Sequence, residues 1–329
     1  MTRAELDAAG ITDSSLRRSY LCCRELNAAH GKTFFLATRL LAPDQRPAVH
    51  ALYGFARRAD DILDDFDPVL TPADRAQRLR SLATQFDRAD TAGDPVLAAV
   101  LHTAQTYRIP RHLFEAFLRS MRMDLTVTDY PDRAALDHYV YGSAEVIGMQ
   151  LLPVLGTTES VEAATPFAAA LGKAFQLTNF LRDVDEDLAR DRVYLPADEL
   201  AAYGVDRGLL EWCRRRRRVD PKVRRALAEQ HRITRDIYAE ARRGIELLAP
   251  RSRPCVETAA VLYGEILDRI ESADFEVFGR RARVGTRRRL RVGAAGWLRA
   301  RRARRIPHSP AGPGTSSEPF DTAEFREHG

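Results

Sequence analysis

From residue 12 to residue 283, apolar side chains recur three and four positions apart, with few alternating β-branched runs and no Gly-, Ser- or Pro-rich linker to interrupt them. That period belongs to helices carrying one apolar stripe each, and stripes in an unbroken series must bury against one another. The pattern predicts an all-α protein with one folded domain, although 329 residues would by length alone accommodate two. Helices are expected at about 12–40, 45–66, 71–90, 94–107, 110–127, 132–152, 160–188, 206–218, 220–249 and 254–283. Pro43-Asp44 and Thr71-Pro72 mark helix starts, while Ile109-Pro110, Leu152-Pro153 and Ala249-Pro250 separate successive helices.

With 45% hydrophobic and 29% charged residues, the chain can bury a core beneath a charged surface, which excludes wholesale disorder. The net charge of +5 is unevenly placed. Residues 280–305 hold twelve Arg and no acid, leaving 39 basic against 46 acidic residues elsewhere. The expected organisation is a domain over 1–283, an Arg-rich segment over 284–305 and a disordered Pro- and Gly-rich end over 306–329. Clustered Arg can neutralise nucleic-acid phosphates, but no recognition motif accompanies it, so no nucleic-acid partner is expected. Trp297 and Leu298 among the Arg suit an amphipathic segment on an anionic membrane surface better. Cys22, Cys23, Cys213 and Cys255 lack CxxC spacing, and no stretch has the length of a signal peptide or membrane span, which predicts a cytoplasmic protein, peripheral at the inner face of the membrane if it touches one. HExxH and GxSxG are both absent, which argues against a zinc protease or a serine hydrolase.

The chemistry concentrates in two acidic clusters. In LYGFARRADDILDD (52–65), Asp60 and Asp64 lie four apart, about 40° around a helix and about 6 Å along it, so both carboxylates share one face. Asp61 and Asp65 repeat the pair on an adjoining face. In LRDVDED (181–187), Asp183 and Asp187 repeat the spacing, 119 residues after Asp64, so two acidic faces could meet across a bundle. Like charges on one face repel, and a hard divalent cation offsets the repulsion; Mg²⁺ commonly takes one or two carboxylates together with substrate phosphates. Solvated acidic residues are the ordinary explanation of a single such pair. Apolar neighbours count against it here: Tyr53, Phe55, Ile62 and Leu63 surround the first cluster, and Phe175, Leu177, Phe180 and Leu181 lead into the second. Arg57 and Arg182 stand beside the clusters, and a guanidinium fork suits phosphate oxygens, although each could equally pair with an aspartate. Metal and arginine at the edge of an apolar cavity describe a site for a diphosphate with a hydrocarbon tail.

These residues, together with HGKTF (30–34), YVYGSAEVIG (139–148), LGKAFQLTNFLRDVDEDLARDRVYLP (171–196) and LYGEILDRIE (262–271), resemble the phytoene and squalene synthase family. The resemblance runs from about residue 30 to 283 and is most like the actinobacterial phytoene-forming branch. It implies an isoprenoid-synthase helical bundle around a central apolar cavity, and head-to-head condensation of two geranylgeranyl diphosphates to phytoene. It implies Asp60, Asp64, Asp183 and Asp187 as Mg²⁺ ligands, with Mn²⁺ as a substitute, and Asp61 and Asp65 as helpers. Tyr53, Arg57, Arg182, Tyr263 and Arg280 resemble diphosphate contacts, and Phe34, Tyr141, Gln176 and Asn179 resemble cavity residues. No NADPH is expected, since phytoene formation needs no hydride. Two alternatives stand: a squalene or dehydrosqualene synthase acting on farnesyl diphosphate, and a non-catalytic scaffold or assembly protein of the same fold, against which the four retained aspartates argue.

Overall fold

The computed structural model describes residues 3–64 and 71–304, with Asp64 known by its backbone alone. Fifteen α-helices are present among them: α1 (Arg3–Ala8), α2 (Ser14–His30), α3 (Lys32–Thr38), α4 (Arg46–Asp64), α5 (Pro72–Asp87), α6 (Pro95–Thr106), α7 (Arg111–Met123), α8 (Arg133–Val140), α9 (Val146–Leu155), α10 (Val161–Ala189), α11 (Ala197–Ala201), α12 (Arg207–Arg216), α13 (Pro221–Arg243), α14 (Arg253–Ser272) and α15 (Thr286–Ala303). A π-helical turn (Tyr141–Glu145) joins α8 to α9, and a 3₁₀ turn (Gly244–Leu247) follows α13. The described residues form no β-strand, only isolated bridges between Asp129 and Val193 and between Thr157 and Leu248.

Short polar residues start the helices where the sequence places them. Thr71 and Asp74 form a reciprocal capping box ahead of α5, and Asp94, Asp132, Ser160, Asp206 and Asp220 each accept a backbone N–H of the first turn. Several expected helices are shorter or divided. The span 12–40 breaks at Gly31, where a Cβ would sit 2.5 Å from Asn27 Oδ1 and 2.9 Å from the Tyr53 ring, so only glycine lets the chain turn that close to α4. The span 254–283 ends as a helix at Ser272, and Asp274 and Phe275 then take left-handed backbone angles that stop it. Pro153, expected as a boundary, lies inside α9.

Helix α10 is the central element, packed against α9, α13, α14 and the π turn. On one side lies an apolar core from α2, α4, α5, α6 and α7, centred on Phe55, Phe86, Phe114 and Phe117, whose ring centroids are 4.8–5.8 Å apart. On the other, α12, α13 and α14 bury Leu210, Val223, Leu227 and Leu267 against α10. Backbones meet directly where α10 crosses the π turn: a Cβ on Gly172 would stand 2.4 Å from the Ala144 carbonyl oxygen. A cavity remains between the two cores.

The Arg-rich segment belongs to this body, so the division drawn at residue 283 does not mark where packing ends. Val292 and Ala300 of α15 are buried, Gly293 lies against Leu36, and Gly296 against Leu40 and Thr258. Arg304 donates to the carbonyls of Leu40 and Leu41 at 2.6 and 2.9 Å, and Arg288 and Arg299 pair with Glu265 and Glu257 on α14. The Arg count hid a second stripe, made of small residues that a search for large apolar side chains does not register. The end expected to be disordered, 306–329, lies outside the described residues.

Candidate active site

The cavity has a volume of about 570 Å³, within the range of small-molecule sites. Its longest wall is one face of α10, where Ala164, Phe167, Leu171, Phe175, Asn179 and Arg182 succeed one another at helical spacing. From Ala164 to Arg182 that face rises about 27 Å. It is apolar for most of its length and polar at the end nearest the second acidic cluster. Leu41, Leu152, Leu155, Ile245 and Leu248 line the apolar remainder.

At the polar end two tyrosines are each backed by a phenylalanine. Tyr53 of α4 stacks on Phe34 with centroids 5.4 Å apart, and Tyr263 of α14 stacks on Phe175 at 4.4 Å. Burial raises both phenols, Tyr53 to about 12, so each is a neutral donor at ordinary pH. Gln176 and Asn179 lie beside them, linked by a 3.3 Å bond from Asn179 Nδ2 to Gln176 Oε1.

Arg182 and Arg281 close this end, and both fork onto Asp183. Nε of each donates to Asp183 Oδ1 at 2.7 Å. Burial alone would raise the Asp183 carboxyl, but the hydrogen bonds and charges of the two arginines outweigh it and hold the group below the usual carboxylate range. Asp187, one turn on, has the opposite balance: burial, reinforced by the charge of Asp183, lifts it to about 7. It faces a small recess shared with Phe180, Arg192 and Tyr194.

On α4, Arg57 pairs with Asp61 one turn along, and Tyr53, which lines the cavity together with Tyr263, lies within electrostatic reach of Arg57, Asp60 and Asp61. Asp64 is the last residue of its helix. Asp65 lies outside the described residues.

The structure thus gathers Phe34, Tyr53, Gln176, Asn179, Arg182 and Tyr263 on the cavity wall, with Asp183 one bond behind Arg182. Arg57, Asp60 and Asp187 stand near this end without lining it. Two expectations need correction. Arg280 is exposed, and its neighbour Arg281 takes the cavity position, because the chain between α14 and α15 is not helical and alternates its side chains between surface and site. Tyr141 is 38% exposed and off the wall, since the wider π turn brings Ser143 and Ala144 to the cavity instead. Phe55, grouped by sequence with the first acidic cluster, belongs to the aromatic core.

The donors suit a hard cation. They are oxygens, and Asn179 Oδ1, one turn before Asp183, is buried without a hydrogen-bond partner. Asp187 is half-buried, and there burial and the charge of Asp183 outweigh the nearby Arg190 and Arg192. Among the described residues no three of His, Cys, Asp and Glu converge closely enough to hold a metal alone. Such a set fits a Mg²⁺-type ion that completes its shell with phosphate oxygens and water.

The sequence model of the squalene/phytoene synthase family matches residues 27–288. A chloroplastic phytoene synthase of Daucus carota is 36% identical over 297 residues, covering 88% of this chain and 72% of that protein. A phytoene synthase of Arthrospira platensis is 34% identical, covering 88% of this chain and 96% of that one. Among solved structures, a dehydrosqualene synthase in complex with ligand superposes with a TM-score of 0.76 at 24% identity, covering 87% of this chain and 98% of that one. A squalene synthase from Alicyclobacillus acidocaldarius gives 0.71 at 26% identity, covering 82% and 98%. A helical fold, a cavity with arginines at one end and hydrocarbon along the rest, and a match over most of the sequence lead to one conclusion: the chain belongs to the squalene/phytoene synthase family.

Proposed function

We propose that the chain is a phytoene synthase: a prenyltransferase of carotenoid biosynthesis that joins two geranylgeranyl diphosphates head to head through prephytoene diphosphate, releasing two diphosphates. The observation that carries this reading is the polarity of the single α10 wall, apolar from Ala164 to Phe175 and ending at Arg182 with Arg281 beside it. Isoprenoid chains lie along the apolar length, and their diphosphates meet the guanidinium forks and the Tyr53 and Tyr263 hydroxyls.

Asp60, Asp64, Asp183 and Asp187 are the residues that would hold Mg²⁺, or Mn²⁺ in its place. The bound metal would neutralise charge on the departing diphosphate. Arg182 and Arg281 stabilise the same charge by fixed, charge-assisted hydrogen bonds. The allylic cation left behind is shielded from water by Leu171, Leu152 and Leu248, and the rings of Phe175 and Phe34 present faces that tolerate positive charge. No reaction step consumes hydride, so no NADPH is required.

Purified protein incubated with geranylgeranyl diphosphate and Mg²⁺, with farnesyl diphosphate and NADPH in parallel arms, tests the assignment. A C40 hydrocarbon formed without NADPH is the expected product. A C30 product alone would move the assignment to squalene or dehydrosqualene chemistry, and no product from either substrate would leave the scaffold reading.

The product has no polar group and must pass to a bilayer. Among the described residues no helix is long and apolar enough to cross one. Helix α15 offers a peripheral contact: Leu290, Trp297 and Leu298 are exposed among Arg287, Arg291, Arg301 and Arg302, and the helix packs on α3, whose residues line the cavity. Leu290→Glu with Trp297→Glu should reduce sedimentation with phosphatidylglycerol vesicles at least about fivefold; undiminished binding would remove the membrane from the proposal.

A further inference from the structure

A carboxylate offers about four lone-pair sites. On Asp183 all four are engaged. Oδ1 accepts from Arg182 Nε and Arg281 Nε, both at 2.7 Å, and Oδ2 accepts from Arg182 Nη2 at 2.5 Å and Arg281 Nη2 at 2.8 Å. Clamped between two planar forks, the carboxylate has no lone pair for a metal ion until one fork withdraws.

The forks differ in how easily they leave. Arg182 adjoins Asp183 on the long helix α10, and its side chain is 17% exposed. Arg281 comes from the non-helical connection between α14 and α15, its side chain is 33% exposed, and its Nη1 already lies 3.5 Å from Glu186 outside the clamp. It also lines the cavity, so rotation about its own side-chain bonds carries the guanidinium from Asp183 toward a ligand without moving a helix. A diphosphate is the ligand that competes for it, because phosphate oxygens accept a guanidinium fork in the same bidentate geometry as a carboxylate and carry more charge.

We infer that Arg281 is an exchangeable clamp: it closes Asp183 in the ligand-free protein and transfers to an incoming diphosphate, so that Asp183 is released to a divalent cation only when a diphosphate is present. The inference rests on the reading of Asp183 as a cation ligand. It makes metal and diphosphate binding mutually dependent. A cation arriving alone must displace Arg281 into solvent, whereas one arriving with diphosphate finds the arginine already engaged, and linkage requires each ligand to strengthen the other by the same factor. The unpartnered Asn179 Oδ1, one turn before Asp183, is a second oxygen available to the cation once the clamp opens.

Calorimetric titration of the full-length protein with Mn²⁺, alone and with saturating inorganic diphosphate, tests this after correction for the metal–diphosphate complex formed in solution. Wild-type protein should bind Mn²⁺ at least about fivefold more tightly with diphosphate than without it. Arg281→Gln should bind Mn²⁺ alone at least about fivefold more tightly than wild type and lose most of the diphosphate enhancement. Arg281→Lys, which keeps the charge but cannot fork, should fall between them and carries the comparison if the Gln variant fails to fold. Mn²⁺ affinities in both variants no higher than wild type would overturn the clamp. Asp183→Asn separates the two levels. If it abolishes diphosphate-dependent Mn²⁺ binding while the Arg281 variants gain nothing, the ligand reading survives and the clamp falls; if that binding persists in Asp183→Asn, both fall.

Discussion

The acidic faces of α4 and α10 share a spacing and differ in nearly everything around it. On α10, Asp183 is enclosed by two arginines, one from its own helix and one from a segment 98 residues away, while Asp187 a turn later is half-buried with far weaker compensation. On α4 the local partner is diverted: Arg57 pairs with Asp61 across one turn, so the arginine nearest the cluster serves the face adjoining the Asp60 and Asp64 pair. The contrast teaches that a four-residue carboxylate pair specifies a shared direction, whereas the charge each carboxylate bears is set by what the rest of the fold brings beside it.

Asp183→Asn is the substitution with the largest expected consequence. It should lower kcat by at least about 100-fold, on the scale of losing a principal electrostatic group, and should lower Tm as well, because two partly buried guanidinium forks lose a charged acceptor worth about 1.5–3 kcal/mol. Steady-state kinetics and thermal unfolding on the same preparation measure both. Asp60→Asn should cut kcat comparably with a smaller fall in Tm; equal destabilisation would show that the two faces are more alike than their partners suggest.

Arg281→Ala follows in size, with KM for the diphosphate substrate rising about tenfold or more through loss of a charge-assisted contact, against at most about threefold for Arg280→Ala. If Arg280→Ala has the larger effect, the side chains of the α14–α15 connection alternate in the opposite sense. The smallest effect belongs to Asp61→Asn. A partly exposed pair one helical turn apart contributes on the order of 0.5 kcal/mol, so Tm should scarcely move, and kcat should fall less than about fivefold. A loss matching that of Asp60→Asn would make the whole α4 face a functional unit.

Periodicity accounts for the shared faces of the aspartate pairs, while Asn179 and the cavity tyrosines came only with the family resemblance. Asn179, Arg182 and Asp183 fall on or beside the cavity because α10 is a long helix, and counting by 3.6 along one helix needs no knowledge of its neighbours. Arg280 and Tyr141 were misplaced in the same kind of location, where that count stops applying: a non-helical connection, in which Arg281 takes the cavity position, in one case and a π turn in the other. Helix α15 escaped for a different reason. Its buried face consists of Val292, Gly293, Gly296 and Ala300, residues too small to stand out as an apolar stripe, yet smallness is what lets it lie against α3 and α14.

By itself the sequence determined the helical class, the starts of most helices and the one-turn spacing of Asp183 and Asp187 on α10, because propensity, capping and helical phase act over a few residues. Only the tertiary structure decided which arginine reaches Asp183, which aspartate is left without a strong countercharge, and that α15 closes onto α3. Those outcomes depend on burial and on Coulomb interactions between groups far apart in the chain, and both are strong only once packing has excluded water from between them.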